Sequence, residues 1–245
     1  ENITNLEIKN LKEIVKNYRD VKNKEKLKEN CKKAAEEFDK DPQIKRVSLS
    51  DTECRMMKNK KGFFELDYNA QFSVDSKSQI IVANDVCQDN VDTYQLQPQI
   101  KMVKENIGLK EETTFAADCA YNTGENLKFL EENKIFGLIP TVSQAQIFDD
   151  RKPTVKQDDY EYDWERDEII VGDVRLKYFT TWADNKKKRR RVYKSNDGKL
   201  IKRVPEFFRE RLRMKKKMET KEGRGIYCLR KIVVEPVIGN VKYNL

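Results

Sequence analysis

The first forty residues carry a thin apolar stripe at helical spacing among many lysines and glutamates. Such a stripe is typical of an amphipathic helix with a solvated outer face. Proline disfavours helix in the residue before it, so Asp41-Pro42 should end this helix. We therefore expect residues 1–50 to form a helical arm, as a hairpin or a coiled coil. The stripe consists of Leu6, Leu11, Ile14, Val15, Tyr18, Val21, Leu27, Cys31, Ala34, Ala35 and Phe38.

The next stretch has the period of β-structure. Residues 51–61 are polar and read as a connector, whereas residues 64–75 alternate apolar and polar positions strictly. That alternation predicts a half-buried strand. Turn-forming residues at Asp75–Ser78, followed by the apolar residues 80–83, predict a hairpin with a return strand.

A helix, a strand, a second helix and a second strand follow. The first helix should end at Gly108, and its inward positions are Leu96, Ile100, Val103 and Ile107. Residues 113–118 predict a short buried strand ending in Asp118, residues 124–133 a helix, and residues 135–140 another buried strand. This order indicates an α/β crossover. Ligands bind just outside the carboxyl ends of such strands, although an aspartate there is also a common helix cap.

The sign of the charge then changes along the chain. Residues 149–173 are acidic with interleaved aromatics, as on a solvated edge strand. Residues 175–221 hold 19 Lys plus Arg against 5 Asp plus Glu, in a chain of net charge +8. Aromatics interleave here too, which favours contacts with a nucleic-acid backbone that weaken steeply with salt. The densest run comprises Lys186, Lys187, Lys188, Arg189, Arg190 and Arg191.

The last nineteen residues predict a helix that carries chemistry. Glu235 and Lys242 lie two turns apart on one face, with Arg230 and Lys231 just over a turn upstream. An acid flanked by bases suits a site that handles a metal and a phosphodiester, while a plain amphipathic helix remains the simpler alternative. The apolar stripe beside them comprises Val234, Ile238, Val241 and Leu245.

Composition removes several classes of chemistry. The chain has no histidine, so Ser-His-Asp and Cys-His nucleophiles and histidine-ligated zinc hydrolases are excluded. Its five cysteines form no CxxC pair, and a reduced cytosolic setting is the default. No apolar run is long enough to span a membrane. Carboxylates, lysines, tyrosines and hard metals such as Mg²⁺ or Mn²⁺ remain.

Three segments, in order, resemble DDE transposases of bacterial insertion sequences over residues 51–245. The segment that starts DTECRMM and continues into the hairpin resembles the region following that family's D-x-(D/E)-x-R-x-M motif. AADCAYNTGENL resembles its A-D-x-x-Y motif, and IYCLRKIVVEPVIGNVK resembles its terminal R-K-x-x-V-E-P-x-x-G-x-x-K motif. The resemblance implies a ribonuclease-H-like mixed sheet flanked by helices. Residues 150–221 would be a charged, basic insertion before the last helix.

The resemblance also implies an activity and a set of residue roles. The activity is metal-dependent phosphoryl transfer on DNA, with Mg²⁺ or Mn²⁺, at transposon ends and at a target, in an assembly that includes a possible homodimer. Asp118 and Glu235 would be metal ligands, and Lys242 would contact DNA phosphate beside the scissile bond. Tyr227 and Arg230 would complete a Y-R-E-K set. Four residues separate Arg230 from Glu235, whereas the family has three.

The family's first acid has no clear counterpart. It lies in a D-G-T-like strand motif, which residues 1–50 lack, and Asp51 and Asp75 are candidates only by default. The simplest account is that the first catalytic strand and the end-recognition domain precede this chain. We therefore expect the chain as given to be inactive or nearly so.

Other functions remain open. The chain could be a basic nucleic-acid-binding module without catalysis, in which residues 175–221 are the functional part. It could be a helical interaction protein that uses residues 1–40. A ribonuclease or resolvase of the same fold is a further alternative, since fold does not fix substrate.

Overall fold

The fold is described from a computed structural model. It is mixed α/β, as the sequence predicts. By their contacts the residues group into two compact units. The predicted boundary at residue 50 stays a prediction. The units are Glu1–Phe72 with Asn84–Asp92, and Ser73–Ala83 with Thr93–Leu245. The structure describes residues 2–8, 24–59, 61–111, 113–154, 160–183 and 188–244.

The first unit is built on the predicted helical stripe. Cys31, Ala34 and Phe38 are at most 3% exposed, and they pack with Ile8 and Val47 into one small core. The main helix ends at the residue before Asp41-Pro42, as predicted, while stripe positions between 9 and 23 lie outside the described residues. The elements are β1 (Asn2–Ile3), α1 (Asn5–Ile8), α2 (Lys24–Lys40), β2 (Val47–Ser48), β3 (Arg55–Lys58) and β4 (Phe64–Asp67).

Two sequence predictions in this region are wrong. The polar connector contains β3, which pairs antiparallel with β4, because strand pairing uses backbone groups that any side chain can accompany. The single strand predicted over residues 64–75 is two strands, β4 and β5 (Asn69–Val74), interrupted at Tyr68. The Tyr68 hydroxyl bonds both carboxylate oxygens of Asp51, at 2.8 and 2.9 Å.

The predicted hairpin and crossover are confirmed. Strands β5 and β6 (Ile81–Cys87) pair, and the turn is held by the Asp75 carboxylate, which accepts from the Ser78 backbone amide at 2.7 Å. In the second unit β7 and β8 are parallel with a helix between them. The elements here are α3 (Leu96–Ile107), β7 (Thr114–Ala116), α4 (Gly124–Glu132), β8 (Phe136–Leu138) and α5 (Val142–Phe148).

The charged segment folds into a five-stranded antiparallel sheet. The strand order is β13-β12-β11-β10-β9, so the acidic stretch does supply an edge strand. One face packs its core residues Ile169, Leu176, Tyr193 and Val204 against Phe208 of the next helix. The strands are β9 (Glu161–Asp163), β10 (Glu168–Val171), β11 (Val174–Ala183), β12 (Arg189–Lys194) and β13 (Ile201–Pro205).

Two helices complete the second unit. They are α6 (Phe208–Glu219) and α7 (Lys221–Asn244), and α7 contacts α6, β7 and β8. No described helix combines the length and apolar character needed to cross a bilayer. Within the described residues the strands fall into one five-stranded and several two-stranded sheets. A ribonuclease-H-like arrangement therefore stays a prediction.

Candidate active site

Asp118 lies where the sequence places it, just beyond the carboxyl end of β7. It caps the short 3₁₀ turn Cys119–Tyr121, and its Oδ1 accepts from the Ala120 amide at 3.2 Å and from the Cys119 thiol at 3.2 Å. Burial, followed by the bond to Asp118, raises the pKa of Cys119 to about 11. The Asp118 side chain is still 46% exposed. The capping role therefore leaves the carboxylate accessible to a ligand.

Helix α7 brings a guanidinium to this carboxylate. Arg230 Nη2 lies 3.4 Å from Asp118 Oδ2, across 112 positions of sequence. The guanidinium also lies 5.4 Å from the ring centroid of Tyr227, one helical turn before it, and Tyr227 is only 5% exposed. Burial raises the pKa of Tyr227. Two of the family-like segments thus meet through one ion pair.

The next residue of α7, Lys231, forms a second ion pair, which is shorter than the one between Arg230 and Asp118. Lys231 Nζ lies 2.5 Å from Asp149, which follows α5. That hydrogen bond is the main cause that raises the pKa of Lys231, and the charge of Glu235, one turn further along α7, adds to it. Asp149 was not among the sequence candidates. The only signal for it was its place in the acidic stretch.

Glu235 and Lys242 lie in the C-terminal half of α7. Both are exposed, whereas the apolar stripe beside them at Val234, Ile238 and Val241 is partly buried. Glu235 follows Arg230 by five residues, a rotation of about 140° around a helix. The structure therefore brings Arg230, rather than Glu235, into contact with Asp118, and the paired metal-ligand role of the two acids stays a prediction. The fourth stripe residue, Leu245, lies outside the described residues.

The side chains present do not form a metal site as they stand. No group of three or more His, Cys, Asp or Glu within the described ranges could hold a metal ion. Of the two default candidates for the first acid, Asp51 is bonded by the Tyr68 hydroxyl, and Asp75 holds its own turn through Ser78. A two-metal phosphoryl-transfer site needs more free oxygens than Asp118 supplies here.

The basic run is divided by the pleat of strand β12. Successive residues of a strand point to opposite faces, so the run cannot present all its charges to one partner. Arg189 pairs with Glu206 at 2.9 Å, and Arg191 pairs with Asp167 at 2.6 Å. Arg190 lies between them on the other face. Lys188 precedes the strand, and Lys186 and Lys187 lie outside the described residues.

The face that carries Arg190 is rich in cations and in exposed aromatics. Paired residues of antiparallel strands share a face, and the register pairs Lys177 with Lys194 and Arg190 with Trp182. Phe179 and Trp182 are 60% and 50% exposed, and Lys194 Nζ lies 3.8 Å from the Phe179 ring centroid. We call this surface the cationic face. It comprises Lys177, Arg190, Lys194 and Arg203, with Phe179 and Trp182.

A comparison with known proteins places these features in a family. The family model described as Transposase DDE domain matches residues 51–245, the region that holds Asp118, α7 and the five-stranded sheet. No curated protein and no solved structure matches the chain. The family match covers well over half of the sequence. The chain therefore belongs to the transposase DDE domain family.

Proposed function

We propose that this chain is the DNA-acting part of a transposase. It would hold DNA and contribute two acids, Asp118 and Glu235, to a site of phosphoryl transfer at transposon ends and at a target. The observation that carries the proposal is the ion pair between Asp118 and Arg230, because it joins two family-like segments at one place. DNA supplies phosphates to the bases of α7 and a reacting phosphodiester to the acids.

The roles follow from charge and position. Arg230, Lys231 and Lys242 are spaced along one helix, so each can meet a different phosphate of a backbone laid along it. The family generally uses a divalent metal. The described acids do not complete a metal set, so we derive no reaction step through a metal. Asp118 and Glu235 would supply two of its ligands once DNA is bound. We assign the binding and orienting of the DNA to Arg230, Lys231 and Lys242.

The cationic face extends the DNA contact beyond the acids. Its four bases lie on adjacent strands of one sheet, and the paired guanidinium groups of Arg189 and Arg191 point away from it. Such contacts neutralise phosphates without reading bases, so they supply affinity rather than sequence preference.

A Mn²⁺-uptake experiment tests the proposal on the full chain. Uptake should rise when duplex DNA is added, and this increment should be lost in Asp118→Asn and in Glu235→Gln. Asp173→Asn, an exposed acid in the turn between β10 and β11, is the matched control and should behave like wild type. Equal increments in all four proteins would contradict the assignment of the two acids.

The same assay separates the second candidate, a nucleic-acid-binding module without catalysis. The ion pair that already occupies Asp118 favours that alternative. It predicts that Asp118→Asn and Glu235→Gln keep the wild-type DNA affinity and that DNA causes no additional metal uptake. Under either function we expect the isolated chain to cut terminal-repeat DNA barely above background in Mn²⁺, because its described acids do not form a complete set. Efficient cutting by this chain would contradict the expectation.

A further inference from the structure

The turn that joins β3 to β4 in the first unit exposes two consecutive phenylalanines. Phe63 lies in the turn and is 69% exposed, and Phe64 begins β4 and is 65% exposed. In the register Phe64 pairs with Lys58, so those two side chains share a face of the hairpin. Scattered single apolar residues are normal on a protein surface, but adjacent large aromatics indicate a contact with another molecule.

Asn59 holds this turn in one shape. Its side-chain oxygen accepts from the backbone amides of Lys61 and Phe63, both at 3.0 Å. Its backbone amide donates to the Phe63 carbonyl at 2.8 Å, and its carbonyl accepts from the Gly62 amide at 3.0 Å. Gly62 has a φ of 89°, in the region that favours glycine. The backbone that carries Phe63 is therefore ordered before a partner binds, which lowers the entropic cost of binding.

The same turn is cationic. Residues 58–64 contain three lysines and no acid. Two of these lysines, Lys58 and Lys61, are described by the structure, and both are exposed. Exposed lysines of this kind neutralise the phosphates of a nucleic-acid backbone. The turn thus combines a fixed aromatic end with bases on either side of it, and this combination favours an anionic partner that can also receive an apolar ring.

The size of the aromatic end restricts the partner further. Two phenylalanines bury at most about 500 Å² together, whereas a stable protein interface buries about 800 Å² on each partner. Stable attachment to a membrane likewise needs more apolar area than two rings supply. A DNA base step needs only one apolar wedge, such as phenylalanine, to be unstacked and bent. A two-stranded antiparallel ribbon is also narrow enough to enter a groove of the duplex.

We propose that the β3–β4 turn is a DNA-bending wedge. Phe63 inserts between two base pairs from the minor groove, and Lys58 and Lys61 bind the phosphates beside it. The inserted ring bends the duplex toward the major groove. This inference rests on the proposed function, in which the chain holds DNA. It adds a DNA contact in the first unit and assigns a bent shape to the bound duplex.

Fluorescence energy transfer across a short duplex labelled at both ends measures the bend. With the full wild-type chain at saturation we expect a bend of about 20–90°, read as a rise in transfer. Phe63→Ser should lose most of this rise, but its affinity should fall by at most about 10-fold, because phosphate contacts supply most of the affinity. Phe63→Leu should keep the bend, since leucine also acts as a wedge. Tyr94→Ser is the matched control, because Tyr94 is equally exposed at 69%. It should bend DNA as wild type does.

The lysines and the ring should have different effects on the salt dependence. Replacing Lys58 and Lys61 by Gln should lower the slope of log affinity against log salt by about 2, because each phosphate contact contributes about 0.9. Phe63→Ser should leave that slope unchanged, since it removes no charge. A full bend in Phe63→Ser, or the same loss of bend in Phe63→Ser and Tyr94→Ser, would overturn the wedge.

Two further outcomes separate this inference from the proposed function. If Phe63→Ser bends DNA as wild type does while DNA-dependent Mn²⁺ uptake is lost in Asp118→Asn, only the wedge is overturned. If the wild-type chain binds no duplex, the proposed function fails together with the wedge. Binding to phosphatidylserine vesicles that Phe63→Ser loses, without a bend that depends on Phe63, would make the turn a membrane contact and would also overturn the wedge.

Discussion

At the scale of single residues, the carboxylate of Asp167 is contacted by side chains from three elements. Its carboxylate accepts from Tyr162 at 2.8 Å, Tyr193 at 2.6 Å, Arg191 at 2.6 Å and Arg209 at 2.7 Å. Burial by itself raises the pKa of Asp167, but these donors outweigh it and hold the pKa below the ordinary value. One acid therefore joins strands β9 and β12 to the start of α6.

Replacing this acid should destabilise the sheet. We expect Asp167→Asn to lower the free energy of unfolding by about 2–3 kcal/mol, less than for a fully buried pair because Asp167 is one-third exposed. Since folding lowers the pKa, the wild-type contribution is present above about pH 4 and is lost as pH falls through the folded-state pKa. Urea unfolding between pH 2.5 and 7 measures both effects. Asp173→Asn, in the exposed turn nearby, should change neither, and an equal loss there would refute a specific role for Asp167.

The two aspartates also show what the sequence could specify for single residues. Asp118 was predictable because strand and helix signals flank it, which places it at a strand end. Asp167 and Asp149 were not, because several of their partners are distant in sequence and only the fold brings them together: Arg191 and Tyr193 lie 24 and 26 positions from Asp167, and Lys231 lies 82 positions from Asp149. For the same reason the consecutive arginines of the basic run could not be sorted into paired and unpaired members before the pleat of β12 was known.

At the scale of elements, the junction of α6 and α7 depends on one glycine. Thr220 caps α7 by accepting from the Gly223 amide at 3.0 Å, and a Cβ added at Gly223 would lie 2.2 Å from the Lys217 carbonyl oxygen. That distance requires backbone movement. A Cβ at Gly225, two residues later in the same helix, meets nothing within 4 Å.

The two glycines therefore predict opposite effects of the same substitution. Gly223→Ala should lower the free energy of unfolding by about 1–3 kcal/mol through overpacking at the junction. Gly225→Ala should raise it by about 0.5–1 kcal/mol, because alanine favours helix. Guanidinium unfolding of the two variants gives the comparison. Changes of the same sign would show that the junction accommodates a Cβ at Gly223 without overpacking.

A proline in α7 explains another contact. Pro236 has no amide hydrogen, so the Ile232 carbonyl lacks its usual helical donor four residues on. The Gln79 side-chain amide, from the hairpin turn, lies 3.4 Å from that oxygen. Pro236→Ala should restore the helical bond and stabilise the chain by about 1–3 kcal/mol.

Gln79 offers a direct control for that prediction. Gln79→Ala should cost a few tenths of a kcal/mol in wild type, where water can replace the exposed contact. In the Pro236→Ala background it should cost nothing, because the carbonyl then has its own donor. A double-mutant cycle by thermal unfolding measures this coupling. Additive effects would mean that the two residues do not share the carbonyl.

The spacing of apolar residues predicted whether a segment is helix or strand, but it did not predict where a strand is interrupted. The helix ending before Asp41-Pro42 and the parallel pair β7–β8 follow from local signals that the sequence shows plainly. The break at Tyr68 does not, because apolar and polar residues alternate through it unchanged. The pattern of apolar and polar side chains does not show where the backbone changes its partner strand. It also does not show β3, which lies in a segment rich in lysine.

At the scale of the whole molecule, the chain's excess of bases is used in two ways. Arginines on one side of the five-stranded sheet are neutralised by acids and stabilise the fold, as Arg191 and Arg209 do with Asp167. On the cationic face Lys177 and Arg203 are exposed and Arg190 and Lys194 are partly buried, and the exposed aromatics Phe179 and Trp182 lie beside them. Net charge alone could not distinguish bases that are paired with acids from bases that remain on the surface. Composition therefore indicated an anionic partner but not the surface that would bind it.

The cationic face gives a prediction about salt. Each phosphate that a base neutralises contributes about 0.9 to the slope of log affinity against log salt, so replacing Lys177, Arg190 and Arg203 by Gln should lower the slope by about 2–3. The control removes three exposed lysines of the first unit, Lys28, Lys32 and Lys45, and alters net charge equally. Its slope should stay at the wild-type value, as read by anisotropy of a labelled duplex across a salt series. Equal loss in both variants would mean that overall charge, rather than this face, binds DNA, whereas a loss confined to the first variant locates the contact on the sheet.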